Sequence, residues 1–259
     1  MKNEYLKIVI QAVESSGKIL TEYFERIHDF KQKNQNIRDL VTEVDVLSEN
    51  NITKIIEDGF PEHSINGEEM GLMKKESEYC WHIDPIDGTV NYSQGIPLCA
   101  VSIGLEHRRE IIAGAIYNPF TVELFFASKG HGAFLNGKPI RVSSKTKVEN
   151  GLYVAAFSSD IGKSKKEEYD IFGNFNDTTR GVLRLGSAAL ALAYLACGRI
   201  DGFWAKGLFP WDLAAGIILV EEAGGKVSDE MGQQFQFSEK IVTSNTILHD
   251  SLLNDLENL

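Results

Sequence analysis

The 259 residues suffice for one large domain or two packed halves, and 43% hydrophobic with 24% charged is a globular balance, which excludes disordered and collagen-like chains. With 37 acidic residues against 26 basic ones the net charge is −11, which disfavours polymeric nucleic acid and anionic membrane as partners, because both need a positive footprint. No window reaches the ~18 apolar residues of a membrane span, and the most apolar stretch is only 188–197. Glu4, Gln11 and Glu14 interrupt the N-terminal apolar pattern, so it does not read as a secretory signal. Cys80, Cys99 and Cys197 are odd in number, far apart and without CxxC spacing. They read as buried thiols in a reducing compartment, and the protein is expected in the cytoplasm.

In chain order, Leu6, Val9, Ile10, Val13, Gly17, Leu20 and Phe24 recur at steps of three and four, which predicts an amphipathic helix over 3–27. Val46, Leu47, Ile52, Ile55 and Ile56 predict a second helix, ended by Gly59 and Pro61. Short apolar runs at 81–83, 100–105, 111–117 and 122–127, separated by Gly, Asn and Pro, predict a largely antiparallel sheet. Beyond residue 150 strands and helices alternate. Strands are expected at 153–157 and 200–204, a buried helix at 187–197 before Gly198, and a helix over 210–223. Pro210 suits that last helix's first position and Gly224-Gly225 its C-terminal cap. These elements predict an α/β chain of mixed α+β character in two halves, 1–146 and 147–259, joined in one compact unit with a soft division near 143–150.

Four segments hold carboxylates in settings that surface decoration does not explain: Asp39-Leu40-Val41-Thr42-Glu43-Val44-Asp45, Gly67-Glu68-Glu69, Asp84-Pro85-Ile86-Asp87-Gly88-Thr89, and Trp211-Asp212. The third is the most informative. It follows the apolar run at 81–83, so Asp84 is expected at a strand end. Pro85 keeps Asp84 extended, and Gly88 permits a tight turn from which a short helix can open. Two carboxylates three residues apart across such a bend can share a metal ion, and free N–H groups after them can face a phosphate oxygen.

Each segment also has a plainer reading: an Asp turn for Asp-Gly, a charged loop for Gly67-Glu68-Glu69, a first-turn acid for Asp212, and an N-cap at Thr42 with Asp45 in the first turn. Should the groups converge, repulsion decides between the readings. Two carboxylates ~4 Å apart at an effective dielectric near 20 repel by about 4 kcal/mol, so several could stay ionised at neutral pH only beside cations. No His or Cys lies in these motifs, so the donors are all oxygen, which points to Mg2+ or Mn2+ over Zn2+. Such ions, with open positions, suit phosphoryl transfer and reverse the local charge for an anionic substrate. No GxxxxGK[ST] or GxSxG string occurs, so a P-loop NTPase or a serine hydrolase is not supported.

Gly67-Glu68-Glu69, the string from Asp84 to Tyr92, and Trp211-Asp212-Leu213-Ala214-Ala215-Gly216 together resemble the inositol monophosphatase family. The likeness extends over almost the whole chain, through Asp39 to Thr42 with Asp45, the hairpin region around 132–137, and Gly186-Ser187-Ala188-Ala189. The resemblance implies a layered α/β/α/β/α sandwich, a homodimer, and a Mg2+-dependent, lithium-sensitive phosphomonoesterase acting on a small molecule. Glu68, Asp84 and the Ile86 carbonyl are then expected to hold a first Mg2+, and Asp84, Asp87 and Asp212 a second. Glu68 with water would hold a weaker third. Thr89, oriented by Asp45, would position and deprotonate the attacking water, so the expected catalytic residues are Glu68, Thr89 and Asp45. Backbone N–H groups of Gly88 and Thr89 would take the phosphate, and Asn91, Gly186, Ser187 and Ala188 would line the substrate side. The implied chemistry is in-line attack by activated water without a phosphoenzyme.

One departure bears on specificity. Ala205 stands seven positions before Asp212, where relatives acting on inositol phosphates commonly carry an acid that binds sugar hydroxyls. Lys206 beside it offers a site for a second anionic group or is simply solvated, and Arg180 and Arg184 are open to substrate or partner roles. The loop with Lys31 and Lys33 is slightly longer than in typical members. Inositol phosphate, fructose 1,6-bisphosphate, histidinol phosphate, a 3′-phosphoadenosine nucleotide and NADP therefore all stand as substrates. A different class of function, a non-catalytic metal- or phosphate-binding regulatory module, predicts degenerate site residues, yet every metal-ligand position is retained.

Overall fold

Helix α1 (Lys2–Tyr23) buries Val9, Ala12, Val13 and Leu20 along one stripe, as its three-four spacing requires. It packs on α2 (Glu43–Gly59), whose buried stripe mixes Val44, Ile52 and Ile56 with Asp45, Ser48 and Glu49. The structure, a computed structural model, describes residues 2–24, 31–32, 40–41, 43–157 and 166–257. Asp39, Thr42 and Lys33 therefore lie outside the described residues, as does the end of the first predicted helix. Between the two helices β1 (Lys31–Gln32) and β2 (Leu40–Val41) pair antiparallel.

The first large sheet holds β3 (Ser64–Gly67), β4 (Gly71–Met73), β5 (Tyr79–Asp87), β6 (Ala100–His107), β7 (Glu110–Asn118), β8 (Glu123–Ser128), β9 (Ala133–Leu135) and β10 (Lys138–Ile140). Its order is β10-β9-β8-β7-β6-β5-β3-β4, antiparallel except where β3 runs parallel to β5. After β5 comes the short helix α3 (Thr89–Ser93). The second sheet holds β11 (Leu152–Ala156), β12 (Gly181–Leu183), β13 (Gly202–Lys206), β14 (Gly225–Ser228) and β15 (Lys240–Asn245). Its order is β12-β11-β13-β15-β14, with β11 parallel to both neighbours and β15 antiparallel to both of its own. The remaining helices are α4 (Lys166–Thr178), α5 (Ala188–Ala196), α6 (Pro210–Glu222) and α7 (His249–Glu257).

Strand periodicity sorts the core into layers. Ile83, Val101, Ile103 and Ala115 pack towards α1 and α2, whereas Ala100, Ile116, Phe125 and Ala127 pack towards α5 and α6. In the second sheet Val154, Phe203 and Ala205 face the same central helices, and Tyr153, Ala155 and Val242 face α4 and α7 with Phe175 and Leu252. The result is an α/β/α/β/α sandwich. Helices α5 and α6 are apolar nearly all round because both faces are covered, so they carry no amphipathic signal.

Two glycines set the spacing of α6 against the first sheet. Gly104 and Gly114 are cross-strand partners on β6 and β7. A Cβ on Gly104 would lie 2.5 Å from Ala214 Cβ and 2.9 Å from its carbonyl carbon, and one on Gly114 would lie 2.9 Å from Ala215 Cα. The Ala214-Ala215 backbone therefore rests directly on the strands, and this contact delivers the preceding Asp212 to the C-terminal end of β5.

Candidate active site

Strand β5 runs through Asp87, not to Asp84 as its apolar residues alone predict, with an irregularity between the two. The extra residues, Pro85 and Ile86, aim both carboxylates off the strand end, as a bulge does. The Asp84 carboxylate accepts the Ile86 N–H at 3.0 Å, and the Ser48 hydroxyl of α2 donates to the Pro85 carbonyl at 3.1 Å. Gly88 then turns the chain at φ 98°, where a Cβ would sit 2.9 Å from the Leu98 carbonyl oxygen, so glycine is required there.

Asp84, Asp87 and Asp212 come together, each with a carboxylate oxygen within 4.8 Å of the others. Two segments up to 128 residues apart in the sequence thus supply one cluster of three carboxylates that can hold a metal ion. Burial pushes the Asp84 pKa well above the usual carboxylate range, and the charges of Glu68, Asp87 and Asp212 push it further. Burial likewise raises Asp212, against the pull of the Phe209 N–H, which donates to its Oδ2 at 2.6 Å. Asp87 rises to about 6, again mainly through burial.

Donors from α5 restrain that last rise. The Ser187 hydroxyl donates to Asp87, as do the N–H groups of Ala188 (3.1 Å) and Ala189 (2.8 Å). Ser187 and Ala188 thus meet the site through Asp87. Gly186, with φ 77°, lies against the Asn91 side chain, which donates to the carbonyls of Leu98 (2.7 Å) and Leu185 (2.8 Å).

The Thr89 hydroxyl has Asp45 Oδ1 at 3.3 Å and the Ile86 carbonyl at 3.0 Å as acceptors for its single hydrogen. Its lone pairs are left for a group on the open side. Glu68 follows β3, its N–H bonded to the Ile83 carbonyl at 3.1 Å, and its carboxylate lies close enough to Asp84 for its charge to raise that group's pKa. Asp212 lies in the first turn of α6, which begins at Pro210 and ends before Gly224 at φ 85°, as the sequence predicts.

Glu49 is the site-forming residue that sequence reasoning missed. It is fully buried, and its carboxylate accepts the N–H groups of Glu69 (2.9 Å) and Met70 (2.8 Å). The available signal was its spacing: four residues after Asp45, it shares Asp45's helix face. Of the residues set aside on the substrate side, Ala205 points into the central helical layer, and Lys206 points the other way and pairs with Glu239 at 3.3 Å. The Arg184 guanidinium lies 5.8 Å from the centre of the Phe157 ring.

The sequence profile of the inositol monophosphatase family matches residues 1–259. An inositol-1-monophosphatase from Synechocystis is 39% identical over 250 residues, 96% of this chain and 87% of that protein. A protein named Nus factor SuhB from Pseudomonas aeruginosa is 38% identical over 259 residues, 97% of this chain and 95% of that protein. The solved inositol monophosphatase of Anabaena superposes with a TM-score of 0.89 at 39% identity, covering 98% of this chain and 96% of that one. With a match along the full chain and this degree of identity, the chain belongs to the inositol monophosphatase family, and it is a phosphoric monoester hydrolase.

Proposed function

We propose that the chain hydrolyses a small-molecule phosphomonoester, one of inositol-phosphate, sugar-phosphate or nucleotide-phosphate type, by direct attack of water with Mg2+ as cofactor and Mn2+ as a substitute. The observation that carries this reading is the meeting of Asp84, Asp87 and Asp212 within 4.8 Å, with the Glu68 charge near enough to raise the Asp84 pKa. Buried carboxylates in such a group repel strongly unless protonated or paired with cations, and an all-oxygen donor set suits a hard divalent ion. Glu68, Asp84 and the Ile86 carbonyl would hold one ion, Asp84, Asp87 and Asp212 a second, and Glu68 with water a weaker third.

Bound there, such ions supply positive charge for phosphate oxygens and make water more acidic. The protein's own groups do the rest. Thr89, its hydrogen directed to Asp45 or Ile86, accepts a hydrogen bond from the attacking water and orients it. Asp45 takes up the hydrogen Thr89 gives away, so the pair can pass on the water's proton as attack proceeds. The N–H groups of Gly88 and Thr89 face the phosphate, where they stabilise its growing charge. Asn91 and Gly186 bound the leaving-group side, while Ser187 and Ala188 keep Asp87 in place.

Family likeness supports a homodimer, inhibition by lithium and a cytoplasmic setting as further parts of the reading. Among the described residues no helix is long and apolar enough to cross a membrane. A non-catalytic binding module is not favoured, because the carboxylates that such a module could lose are all present. The test is phosphate release from inositol 1-phosphate, fructose 1,6-bisphosphate, histidinol phosphate, 3′-phosphoadenosine 5′-phosphate and NADP, with Mg2+ and with EDTA. Release from at least one, abolished by EDTA, is expected. Tight binding without turnover across the panel would overturn the hydrolytic reading.

A further inference from the structure

The buried polar face of α2 touches two segments of the site, the end of β5 and the turn after β3, at three points. Asp45, Ser48 and Glu49 stand at i, i+3 and i+4, so they project from one side of the helix, and all three are fully buried. Asp45 receives Thr89, Ser48 donates to the Pro85 carbonyl between Asp84 and Asp87, and Glu49 receives the N–H groups of Glu69 and Met70. The helix is itself tied to α1, where the Asn51 amide donates to Ser15 (3.0 Å) and Ser16 (2.9 Å) and the Ser16 hydroxyl donates to the Ser48 carbonyl (3.3 Å).

We propose that Glu49 is a positioning residue for metal binding, its carboxylate holding the turn after β3 so that Glu68 reaches Asp84. The inference rests on the proposed metal-dependent reading of this site. Two observations set Glu49 apart from an ordinary buried acid. Its two oxygens take consecutive N–H groups immediately after Glu68, a geometry that fixes the turn's orientation as well as its position. Gly67, immediately before Glu68, leaves the room: a Cβ there would stand 2.1 Å from Glu49 Oε1 and 2.6 Å from its carboxyl carbon. Both flanks of Glu68 are therefore shaped around Glu49. Glutamine is nearly isosteric, but one of its two ends is a donor, so it can accept only one of the two N–H groups and must face the other with hydrogens.

The test compares wild type, Glu49→Gln and Asn51→Ala, each stripped with EDTA. Asn51→Ala is the control for stability, since it removes half-buried hydrogen bonds of the same helix without touching the site. Calorimetric titration with Mn2+ is expected to show 10- to 100-fold weaker binding in Glu49→Gln, the range found when a group orienting a metal ligand is lost. Asn51→Ala should lower Tm and keep the wild-type affinity. Without metal, amide exchange at Glu69 and Met70 should speed at least tenfold in Glu49→Gln alone. At saturating Mg2+ its kcat should recover to within about threefold of wild type, leaving the metal midpoint shifted. Wild-type Mn2+ affinity in Glu49→Gln would overturn the proposal, as would equal weakening in Asn51→Ala. If wild type binds no Mn2+, the metal-dependent reading fails and the role in metal binding fails with it. The metal-free exchange readout shows separately whether Glu49 holds the turn.

Discussion

Ser187 donates its hydroxyl hydrogen to Asp87 while its oxygen accepts the N–H of Leu190 at 3.1 Å. One side chain thus caps α5 and fixes a member of the carboxylate cluster.

Ser187→Ala removes both bonds. Loss of the cap should cost about 1 kcal/mol of stability, read as a lower Tm or denaturant midpoint. The hydroxyl favours ionised Asp87, so its loss should raise that pKa above its present value of about 6. At sub-saturating Mg2+ the acid limb of kcat/KM should shift to higher pH. An unshifted limb with the same Tm would show that the bond contributes nothing.

On the proposed metal-dependent reading, the raised carboxylates would couple metal binding to protons. In the metal-free fold Asp84, Asp87 and Asp212 bind protons more tightly than in the unfolded chain, so their contribution is most favourable at low pH. It is lost as pH rises, for Asp87 from its ordinary 3.8 through about 6. Cations reverse this, because they bind the ionised groups. The rise in Tm produced by Mg2+ should therefore grow between pH 5 and 8. Titrations at pH 7 in buffers of different ionisation enthalpy should show proton release on binding. A Tm increment independent of pH would contradict the pKa shifts.

Gly104→Ala should disturb the site from a distance. Its Cβ would meet Ala214 Cβ at 2.5 Å and that residue's backbone at 2.9 Å, so α6 has to back away and take Asp212 with it. We expect a loss of about 1–3 kcal/mol in chemical denaturation, as for overpacked cores. Mg2+ activation should weaken as well. Destabilisation with an unaltered metal midpoint would show that Asp212 does not depend on this contact.

At the other end of β5 the β6–β7 hairpin turns through Arg108 and Arg109, both left-handed at φ 53° and 67°. Such two-residue turns favour Asn-Gly, and a side chain in this conformation costs roughly 1–2 kcal/mol. Arg109→Gly should raise stability by about 1 kcal/mol in urea unfolding and leave activity unchanged, since the hairpin lies away from the carboxylates.

The legible elements were those whose residues repeat a local rule. The stripe of α1 and the Pro210 start of α6 both carry their signal in a short window. Strands β3 and β4, with four and three residues, are too short to show alternation, and α4 and α7 bury only Phe175 and the pair His249 and Leu252, too few for an apolar stripe to stand out. Asp84, Asp87 and Asp212 could be named from their strings, but their meeting depends on Gly104 and Gly114 admitting α6, a pairing between strands that no local window contains. Glu49 escaped notice because a single acid in a polar-looking helix carries no motif; only its bonds to Glu69 and Met70 reveal what it does.

The most direct test of the metal-dependent reading is a paired measurement on wild type and Asp212→Asn, both stripped with EDTA: calorimetric Mn2+ binding and phosphate release with Mg2+. Removing one of three crowded acids, two buried and Asp212 half-buried, should raise the metal-free Tm, while weakening ion binding strongly and lowering hydrolysis at least 100-fold. Such a result would tie the activity to the cluster and exclude misfolding as its cause. Hydrolysis at the wild-type rate in Asp212→Asn, or release that persists in EDTA, would contradict the account.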